Sequence, residues 1–454
     1  MRYRKLAGVV ALLAGAALGL SAGAGGSPTA GGTRLWAHRY NGPGNGSDIA
    51  YTIVSSPDGT RVFVTGASAG IGTSSDYATA AYDASSGAEL WVSRFNGPGN
   101  GNDAPLAIAV SPDGTRVFVT GHGSGLAGGD VYHSVVATVL YDAATGAELW
   151  VAVAPEGVVG AGPPALAISP DGSRIFVTGS RDVGGSSRYA TLAYDAATGA
   201  LLWSAVGGGT NPSSIDVSPD GTTVVVSGSG YVTVAYDAAT GTQLWTASLG
   251  GPGVSGAVAL KFSPDGTRVF VTGTTDVFGQ NPNFATVAYD GATGAQIWVS
   301  RYDGPAHDHD EVNGLAVSRD GAQVYVTGFS VGSTTNHDYA TVALSGATGA
   351  TLWARRYNGP ANGDDYASSV AVSPDGTTVT VTGGSGPTGY PDYATITYAA
   401  DGTTLWIRRY GGAGTTSGFA YATTFAPDGS RVFVTGSRWR SGTGPDYFTV
   451  AYSR

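Results

Sequence analysis

The sequence predicts an all-β fold, an eight-bladed β-propeller built from four-stranded antiparallel blades. Two interleaved repeats and the two ends of the chain carry this prediction. The first repeat is a tryptophan preceded by Leu or Ile, which recurs at intervals of about fifty residues. The eight positions are Trp36, Trp91, Trp150, Trp203, Trp245, Trp298, Trp353 and Trp406. The second repeat, out of phase with the first, is an Asp-Gly turn motif. Its aspartates are Asp58, Asp113, Asp171, Asp220, Asp265, Asp320, Asp375 and Asp428.

Each repeat divides into four short strands. An alternating run such as 106–110 has the period of a pleated strand. The Pro-Asp-Gly turn that follows folds the chain back into a second strand, as at 61–66. After a variable loop comes a third strand, as at 77–82, and a Thr-Gly turn leads into a fourth strand that carries the tryptophan. Such units, repeated four to eight times, are typical of a propeller.

The ends of the chain indicate a closed ring. Residues 32–36 form a lone fourth strand, whereas 423–425, 431–435 and 447–452 form a first, second and third strand with no fourth. The two fragments complete one blade, in which the N-terminal strand is the fourth strand of the C-terminal blade. A linear array would instead leave both fragments as exposed sheet edges.

Segment 193–203 resembles the tryptophan-docking motif Ala-x-Asp-x-x-Thr-Gly-x-x-x-Trp of the quinoprotein-dehydrogenase propellers. The motif is also complete at 235–245 and 288–298, and it departs at Ser86, Leu140 and Ser345. The Asp-Tyr-Ala third strand and the Tyr-Asn-Gly-Pro loop resemble simpler secreted bacterial propeller repeats. The resemblance implies the fold and assigns the eight tryptophans to the docking of blades.

The N-terminus predicts export. Arg2, Arg4 and Lys5 precede an uncharged stretch and then small residues, so we expect a signal peptide over 1–24, a short linker over 25–32 and one propeller domain over 33–454. The alternative is an uncleaved anchor, although the apolar stretch is short for a membrane span. Cleavage changes the formal net charge from −10 to −13, which disfavours nucleic acid as a partner. The absence of cysteine excludes disulfides and thiolate metal sites. We expect a secreted or cell-surface protein, monomeric, with no membrane span after cleavage.

Loops between blades, and loops between second and third strands, are predicted to emerge on one face, where function concentrates on such scaffolds. The interblade loop repeats a carboxylate at Asp48, Asp103, Asp310 and Asp365. These oxygens could bind Ca²⁺. The alternative, which the sequence favours, is that each carboxylate fixes its own loop by accepting backbone N–H groups.

The segment His307, Asp308, His309, Asp310 and Glu311 concentrates imidazoles and carboxylates in one interblade loop. Such groups can hold Zn²⁺ or another transition metal. Because neighbouring residues of an extended loop point in opposite directions, the alternative is a solvated loop.

Trp439 is the one tryptophan outside the repeat, and it lies between Arg438 and Arg440 on a segment predicted to be a long loop. It is a candidate anchor for a sugar, an aromatic ligand or an acidic partner. Packing on the adjacent blade is the alternative.

Two classes of function follow. The sequence favours a non-enzymatic scaffold that binds a protein or a carbohydrate through the loop-rich face. The alternative is a propeller enzyme, either a quinone-dependent oxidoreductase or a lyase or hydrolase. A quinone enzyme needs a cation, an Asp base and flat apolar groups around the cofactor, and no such constellation can be placed in this sequence.

Overall fold

The computed structural model describes residues 31–124, 134–159, 162–250, 254–275, 281–334, 336–387, 391–411 and 417–454. The predicted signal peptide, and the predicted linker as far as residue 30, lie outside the described residues. Every regular element within those ranges is a β-strand. Among them, no helix is long and apolar enough to cross a membrane.

Blades are numbered by the order of their tryptophans, so blade 1 contains Trp36. The chain begins with β1 (Arg34–Tyr40) and then builds the complete blades. Blade 2 consists of β2 (Asp48–Ser55), β3 (Arg61–Ala69), β4 (Ser75–Asp83) and β5 (Glu89–Phe95). Blade 3 consists of β6 (Ala104–Val110), β7 (Arg116–Ser124), β8 (Ser134–Asp142) and β9 (Glu148–Val153). Blade 4 consists of β10 (Val158–Val159), β11 (Leu166–Ile168), β12 (Arg174–Val183), β13 (Ser186–Asp195) and β14 (Leu201–Gly207).

The remaining blades repeat the same plan. Blade 5 consists of β15 (Pro212–Val217), β16 (Thr223–Gly228), β17 (Thr233–Asp237) and β18 (Gln243–Ala247). Blade 6 consists of β19 (Val254–Phe262), β20 (Arg268–Thr275), β21 (Asn283–Asp290) and β22 (Gln296–Tyr302). Blade 7 consists of β23 (Asp310–Val317), β24 (Gln323–Val331), β25 (His337–Ser345) and β26 (Thr351–Tyr357). Blade 8 consists of β27 (Asp364–Val372), β28 (Thr378–Gly386), β29 (Asp392–Ala399) and β30 (Thr404–Tyr410). Blade 1 is completed by β31 (Gly418–Phe425), β32 (Arg431–Arg440) and β33 (Gly444–Ser453).

The predicted ring is present. Within the described residues, six sheets have four strands, and a seventh has nine because β10 pairs with both β8 of blade 3 and β12 of blade 4. The innermost strand of each blade contacts that of the next, and β31 contacts β2, which returns the order to its start. The prediction of an all-β propeller is confirmed, and the arrangement agrees with eight blades.

Blade 1 joins the two ends of the chain. β1 pairs antiparallel with β33, so that Trp36 lies opposite Ala451 and Tyr40 opposite Tyr447. Gly32 N donates to Ser453 O at 2.8 Å, which continues the ladder beyond the strands. The blade is therefore assembled from segments at opposite ends of the sequence.

Tight hairpins replace two of the loops expected between second and third strands. In blade 4, Gly184 and Gly185 connect β12 to β13, and both have the positive φ that a two-residue hairpin turn requires. In blade 1, β32 extends through Arg440 and pairs with β33, with Trp439 opposite Pro445. The prediction that Trp439 lies on a long loop was wrong, because both strands continue beyond the length of the repeat.

The repeat tryptophans lie between blades. Trp36 of blade 1 donates from Nε1 to Ala84 O of blade 2 at 3.0 Å, and its indole packs on Gly87, whose φ is +74°. A Cβ at Gly87 would approach the ring to 2.5 Å, so only glycine fits the turn. The same bond to the next blade recurs for Trp91, Trp150, Trp203, Trp245, Trp298 and Trp353.

Candidate functional site

The loop-rich face carries the interblade loops together with the connections between second and third strands. Backbone bonds tie the two sets to each other. Gly44 N donates to Ala69 O at 3.2 Å in blade 2, and Gly99 N donates to Ser124 O at 2.9 Å in blade 3. The loops therefore lie against the ends of their own blades and form one surface.

The repeated aspartates hold these loops in place by accepting hydrogen bonds from backbone N–H groups. Asp48 is fully buried, and its Oδ2 accepts from Gly42 N at 2.7 Å while Oδ1 accepts from Ala69 N at 3.1 Å. A Cβ at Gly42 would lie 2.7 Å from Asp48 Oδ1, which explains the glycine of the Tyr-Asn-Gly-Pro loop. Equivalent bonds join Gly97 to Asp103, Gly304 to Asp310 and Gly359 to Asp365.

Burial raises the pKa of Asp48, Asp310 and Asp365, although their backbone bonds oppose the shift. The four aspartates lie in four different blades. In each, a carboxylate oxygen accepts a hydrogen bond from a backbone N–H of the loop. In the described part of the chain, no group of three His, Cys, Asp or Glu side chains is placed to hold a metal ion. Calcium at these positions stays a prediction.

His307 takes the place of an asparagine in the loop repeat. Its φ of +50° matches those of Asn45, Asn100 and Asn362 at the same loop position. Its Nδ1 lies 2.6 Å from Asp303 Oδ2, and this pair replaces the Asn–Asn bonds of the other three loops. The Asp303 hydrogen bond raises the pKa of this exposed imidazole. His307 and Asp308 thus face solvent on the loop, away from the groups described next.

His309 belongs to a different arrangement, here called the blade 7–8 cluster. The cluster spans the junction between two blades at the mouth of the ring, where the first strands begin. Its members are His309, Glu311, Phe329 and His337 of blade 7 with Asp364 and Tyr366 of blade 8.

Two histidine–carboxylate pairs and two aromatic rings make up the cluster. His337 Nδ1 lies 2.9 Å from Asp364 Oδ1, and His309 Nε2 lies 3.4 Å from Glu311 Oε2. The two imidazoles are 6.4 Å apart between ring centroids.

Both aromatic rings pack against the imidazole of His337, and Phe329 also meets His309 at 5.4 Å. Phe329 meets His337 at 4.9 Å and Tyr366 at 5.0 Å, both edge to face. Burial, followed by the charges of Asp364 and Glu311, raises the pKa of Tyr366 to about 12, so its hydroxyl stays protonated.

The cluster is open to solvent. The side chains of His309, His337 and Asp364 are exposed by 41%, 30% and 25%, while Phe329 is buried as their floor. The arrangement can therefore present carboxylates, imidazoles and an aromatic ring to a ligand.

Blade 2 has the same loop but not this chemistry. At the positions of Glu311, Phe329 and His337 it carries Ile49, Ala67 and Ser75, as the strand registers show. Ser75 bonds to Asn102 of the next blade at 3.1 Å, where His337 bonds to Asp364. The cluster is thus a local replacement of side chains on an otherwise repeated frame.

Further aromatic residues lie at the mouth of the ring beyond Tyr366. Phe419 packs on Gly384, the cross-strand partner of Tyr366, where an added Cβ would come within 2.4 Å of the ring. Phe419 also contacts Tyr421 at 5.0 Å, and Tyr421 contacts Tyr51 of blade 2 at 6.1 Å. We call Phe419, Tyr421 and Tyr51 the aromatic rim, and each is partly exposed.

Of the two arginines beside Trp439, only Arg438 has different surroundings. Arg438 points between blades 8 and 1, with its guanidinium over Tyr410 at 5.2 Å and Phe448 at 5.8 Å. Trp439 points outward and is 46% exposed, and Arg440 is exposed beside it. These residues lie on blade 1, two blades along the ring from His309, so the two sequence candidates form separate surfaces.

Sequence reasoning identified His309 but not Phe329, His337, Asp364 or Tyr366. The signal for them was present as a departure from the repeat. Ala, Ser and Asn of blades 2 and 3 are replaced by Phe, His and Asp at aligned positions.

The docking motif does not fit a quinone site. Its tryptophans contact neighbouring blades, and their ring faces are covered by turn glycines such as Gly146 and Gly294. The likeness to quinoprotein dehydrogenases therefore concerns how blades are fastened.

Comparisons with known proteins give one family and the same fold. The family model described as outer membrane protein assembly factor BamB matches residues 78–234, 133–330 and 228–438 in overlapping stretches. BamB from Moraxella catarrhalis has 17% identity and a TM-score of 0.51, with 93% of this chain and 99% of that chain covered. Chaetomium thermophilum Sqt1, bound to the N-terminus of the ribosomal protein L10, has 15% identity and a TM-score of 0.60, with 90% and 98% covered. No curated protein matches the sequence.

Proposed function

The chain belongs to the PQQ-repeat propeller family described as outer membrane protein assembly factor BamB, and from that premise we propose that it is a non-enzymatic scaffold that binds a protein partner through its loop-rich face. The observation that carries the proposal is the blade 7–8 cluster. A buried aromatic ring, a partly exposed imidazole and a partly exposed carboxylate occupy positions that in blade 2 hold Ala67, Ser75 and Ile49. Side chains that only fasten blades do not require this exchange.

Two further points support a protein as the partner. Aromatic residues are enriched at protein interfaces, where they supply large contact areas at low entropic cost. The related fold of Sqt1 was solved with a protein segment bound.

Export is part of the proposal, based on the charged, apolar and small-residue order of residues 1–24. We place the protein outside the cytoplasm, secreted or at the cell surface.

Capture experiments test the proposal. The immobilised mature protein is exposed to extracellular and surface fractions of the producing cells, and captured proteins are identified by mass spectrometry. A triple variant, His309→Ala, His337→Ala and Tyr366→Ala, removes the cluster. A control variant, Arg319→Ala, changes an exposed side chain on the opposite face, where the Asp-Gly turns lie.

We expect a defined partner with the wild-type protein and with the Arg319 variant, and its loss with the triple variant, whose folded state is checked by thermal melting. Capture that survives the triple variant, or that Arg319→Ala abolishes, contradicts the proposed face. Absence of any saturable partner contradicts the function itself.

A further inference from the structure

We propose that the face opposite the loop-rich face, where the Asp-Gly turns lie, carries a second binding site. The site is a notch between the turns of blades 7 and 8, and it takes the ring of a proline in a surface turn of a partner protein. It lies apart from the blade 7–8 cluster and goes beyond the function proposed above. The inference follows from a contact that the other seven junctions make on this face.

At each of those seven junctions, the proline of one Asp-Gly turn packs on the glycine of the next turn. A Cβ added at Gly114 would lie 3.5 Å from Cδ of Pro57, and one added at Gly172 would lie 3.0 Å from Cδ of Pro112. The pyrrolidine ring thus covers the turn glycine, an apolar contact repeated around the face. The remaining contacts of this kind join Pro170 to Gly221, Pro219 to Gly266, Pro264 to Gly321, Pro374 to Gly429 and Pro427 to Gly59.

The junction between blades 7 and 8 lacks this contact among the described residues. Arg319 stands where the other seven turns have proline, and a Cβ added at Gly376 would meet no described atom within 4 Å. A cavity of about 380 Å³ opens at this junction and is lined by the turns 318–320 and 374–376 together with Gln323. Ligand sites commonly measure about 300–1,000 Å³, so the notch has room for a proline ring and the residues beside it.

A second departure from the repeat lies in the same turn. In the other seven turns the residue after the glycine is Thr or Ser, and its hydroxyl donates to the turn aspartate, as Thr222 does to Asp220 at 2.9 Å. In blade 7 this residue is Ala322. Among the described residues, Asp320 keeps as donors Ser318 Oγ at 2.6 Å and Ala322 N at 3.0 Å. Its exposed carboxylate borders the cavity and can accept an N–H or O–H from a ligand.

The two departures define the ligand. Gly376 is the kind of surface on which proline rings pack elsewhere on this face, and a proline ring loses little conformational entropy when it is buried. Asp320 adds an acceptor for a backbone N–H or a serine hydroxyl beside that proline. The turns of the chain itself contain these groups, as in Ser-Pro-Asp-Gly at 111–114. A partner turn with serine before its proline therefore matches the notch.

Fluorescence anisotropy tests the inference with the full mature protein. The probe is a labelled peptide with the sequence of residues 109–118, closed into a ring to hold its turn, and the matched probe has alanine in place of the proline. Two variants restore the repeat: Arg319→Pro fills the notch from the chain itself, and Ala322→Thr returns a hydroxyl to Asp320. Arg319→Ala removes the same guanidinium as Arg319→Pro but leaves the notch open.

We expect the proline peptide to bind the wild-type protein and Arg319→Ala alike, and the alanine peptide to bind about tenfold more weakly. Arg319→Pro is expected to abolish binding without lowering the melting temperature, because the other turns already place proline at this position. Ala322→Thr is expected to weaken binding about fivefold, since its hydroxyl competes for the carboxylate.

Equal binding of the two peptides, or undiminished binding by Arg319→Pro, overturns the inference. Absence of saturable binding by the wild-type protein overturns it as well. If Arg319→Pro unfolds, the two peptides and Ala322→Thr decide the result.

The triple variant of the blade 7–8 cluster separates this site from the function proposed above. Because the cluster lies on the opposite face, we expect the triple variant to bind the proline peptide as the wild-type protein does. Peptide binding without any partner captured by the wild-type protein refutes only the function proposed above. Partner capture without peptide binding refutes only this inference.

Discussion

Asp364 of blade 8 places Oδ1 2.9 Å from Nδ1 of His337 in blade 7. The same contact across a blade junction exists in simpler form between Ser75 and Asn102, at 3.1 Å. One structural position thus holds a neutral bond at one junction and an ionisable pair at another. This exchange shows how a repeated frame can carry one specialised surface while the strand register stays the same.

The docking bond of the tryptophans predicts a difference between two substitutions. Trp91 Nε1 donates to Ala143 O at 3.1 Å, whereas Trp406 Nε1 is a buried donor with no acceptor among the described residues. Trp406 packs on Gly32 at the junction of the chain ends. We therefore expect Trp91→Phe to destabilise the protein by about 1 kcal/mol more than Trp406→Phe. Urea unfolding of both variants measures the difference, and equal losses would contradict the assigned bond.

The loop anchor predicts the effect of removing Asp103. Its carboxylate accepts from Gly97 N at 2.6 Å and from Ser124 N at 2.5 Å. Asp103→Ala leaves both donors unsatisfied, so we expect a loss of about 2 kcal/mol in the free energy of unfolding. Glu156→Ala, at an exposed loop position, serves as the control and is expected to stay within about 0.5 kcal/mol.

The same variant also tests calcium at these loops. If the carboxylate serves the loop backbone alone, the loss caused by Asp103→Ala is the same in calcium and in EDTA. A calcium-dependent rise in melting temperature that Asp103→Ala removes would support the calcium site instead.

Burial of His122 predicts an acid-sensitive component of stability. Burial lowers the pKa of His122 to about 4, from an ordinary value near 6.5. The unfolded chain then binds the proton more readily, so this contribution is complete above about pH 6.5 and is lost as the pH falls toward about 4. The loss is at most about 3 kcal/mol. His122→Phe, which copies the residue at the equivalent position of blade 7, is expected to flatten the stability profile in this interval. An unchanged profile would refute the assignment to His122.

The loop position of His307 predicts that asparagine can replace it. Asn45, Asn100 and Asn362 already take the same positive φ. We expect His307→Asn to change the free energy of unfolding by less than about 0.5 kcal/mol and to leave partner capture intact. His307→Val places a β-branched residue in the left-handed region and is expected to cost about 1–2 kcal/mol. Loss of capture by the Asn variant would show that His307 contacts the ligand.

The sequence predicted the ring well because its signals are local and repeated eight times. Asp-Gly turns, Thr-Gly turns and alternating strands each constrain the backbone within a few residues. The pairing of the N-terminal strand with the third strand of the C-terminal blade followed from counting strands at the two ends. Trp439 shows the limit, because strand extension in β32 depends on pairing with β33 and not on the residues of one segment.

The site was predicted less well, for a physical reason. His307 and His309 are close in sequence, but loop geometry sends one to solvent and the other toward His337. Asp364 and Tyr366 come from the next blade, so no spacing within one repeat could place them. Aligning the repeats and asking where a small residue becomes aromatic or ionisable would have found them.

Hydrogen–deuterium exchange on the complex with the captured partner tests the central claim most directly. The account predicts slower exchange on binding in segments 309–312, 329–331, 336–337 and 364–366, with the turns on the opposite face unchanged. Protection confined to those turns, such as 318–321 and 374–376, with no change in the blade 7–8 cluster, would contradict it.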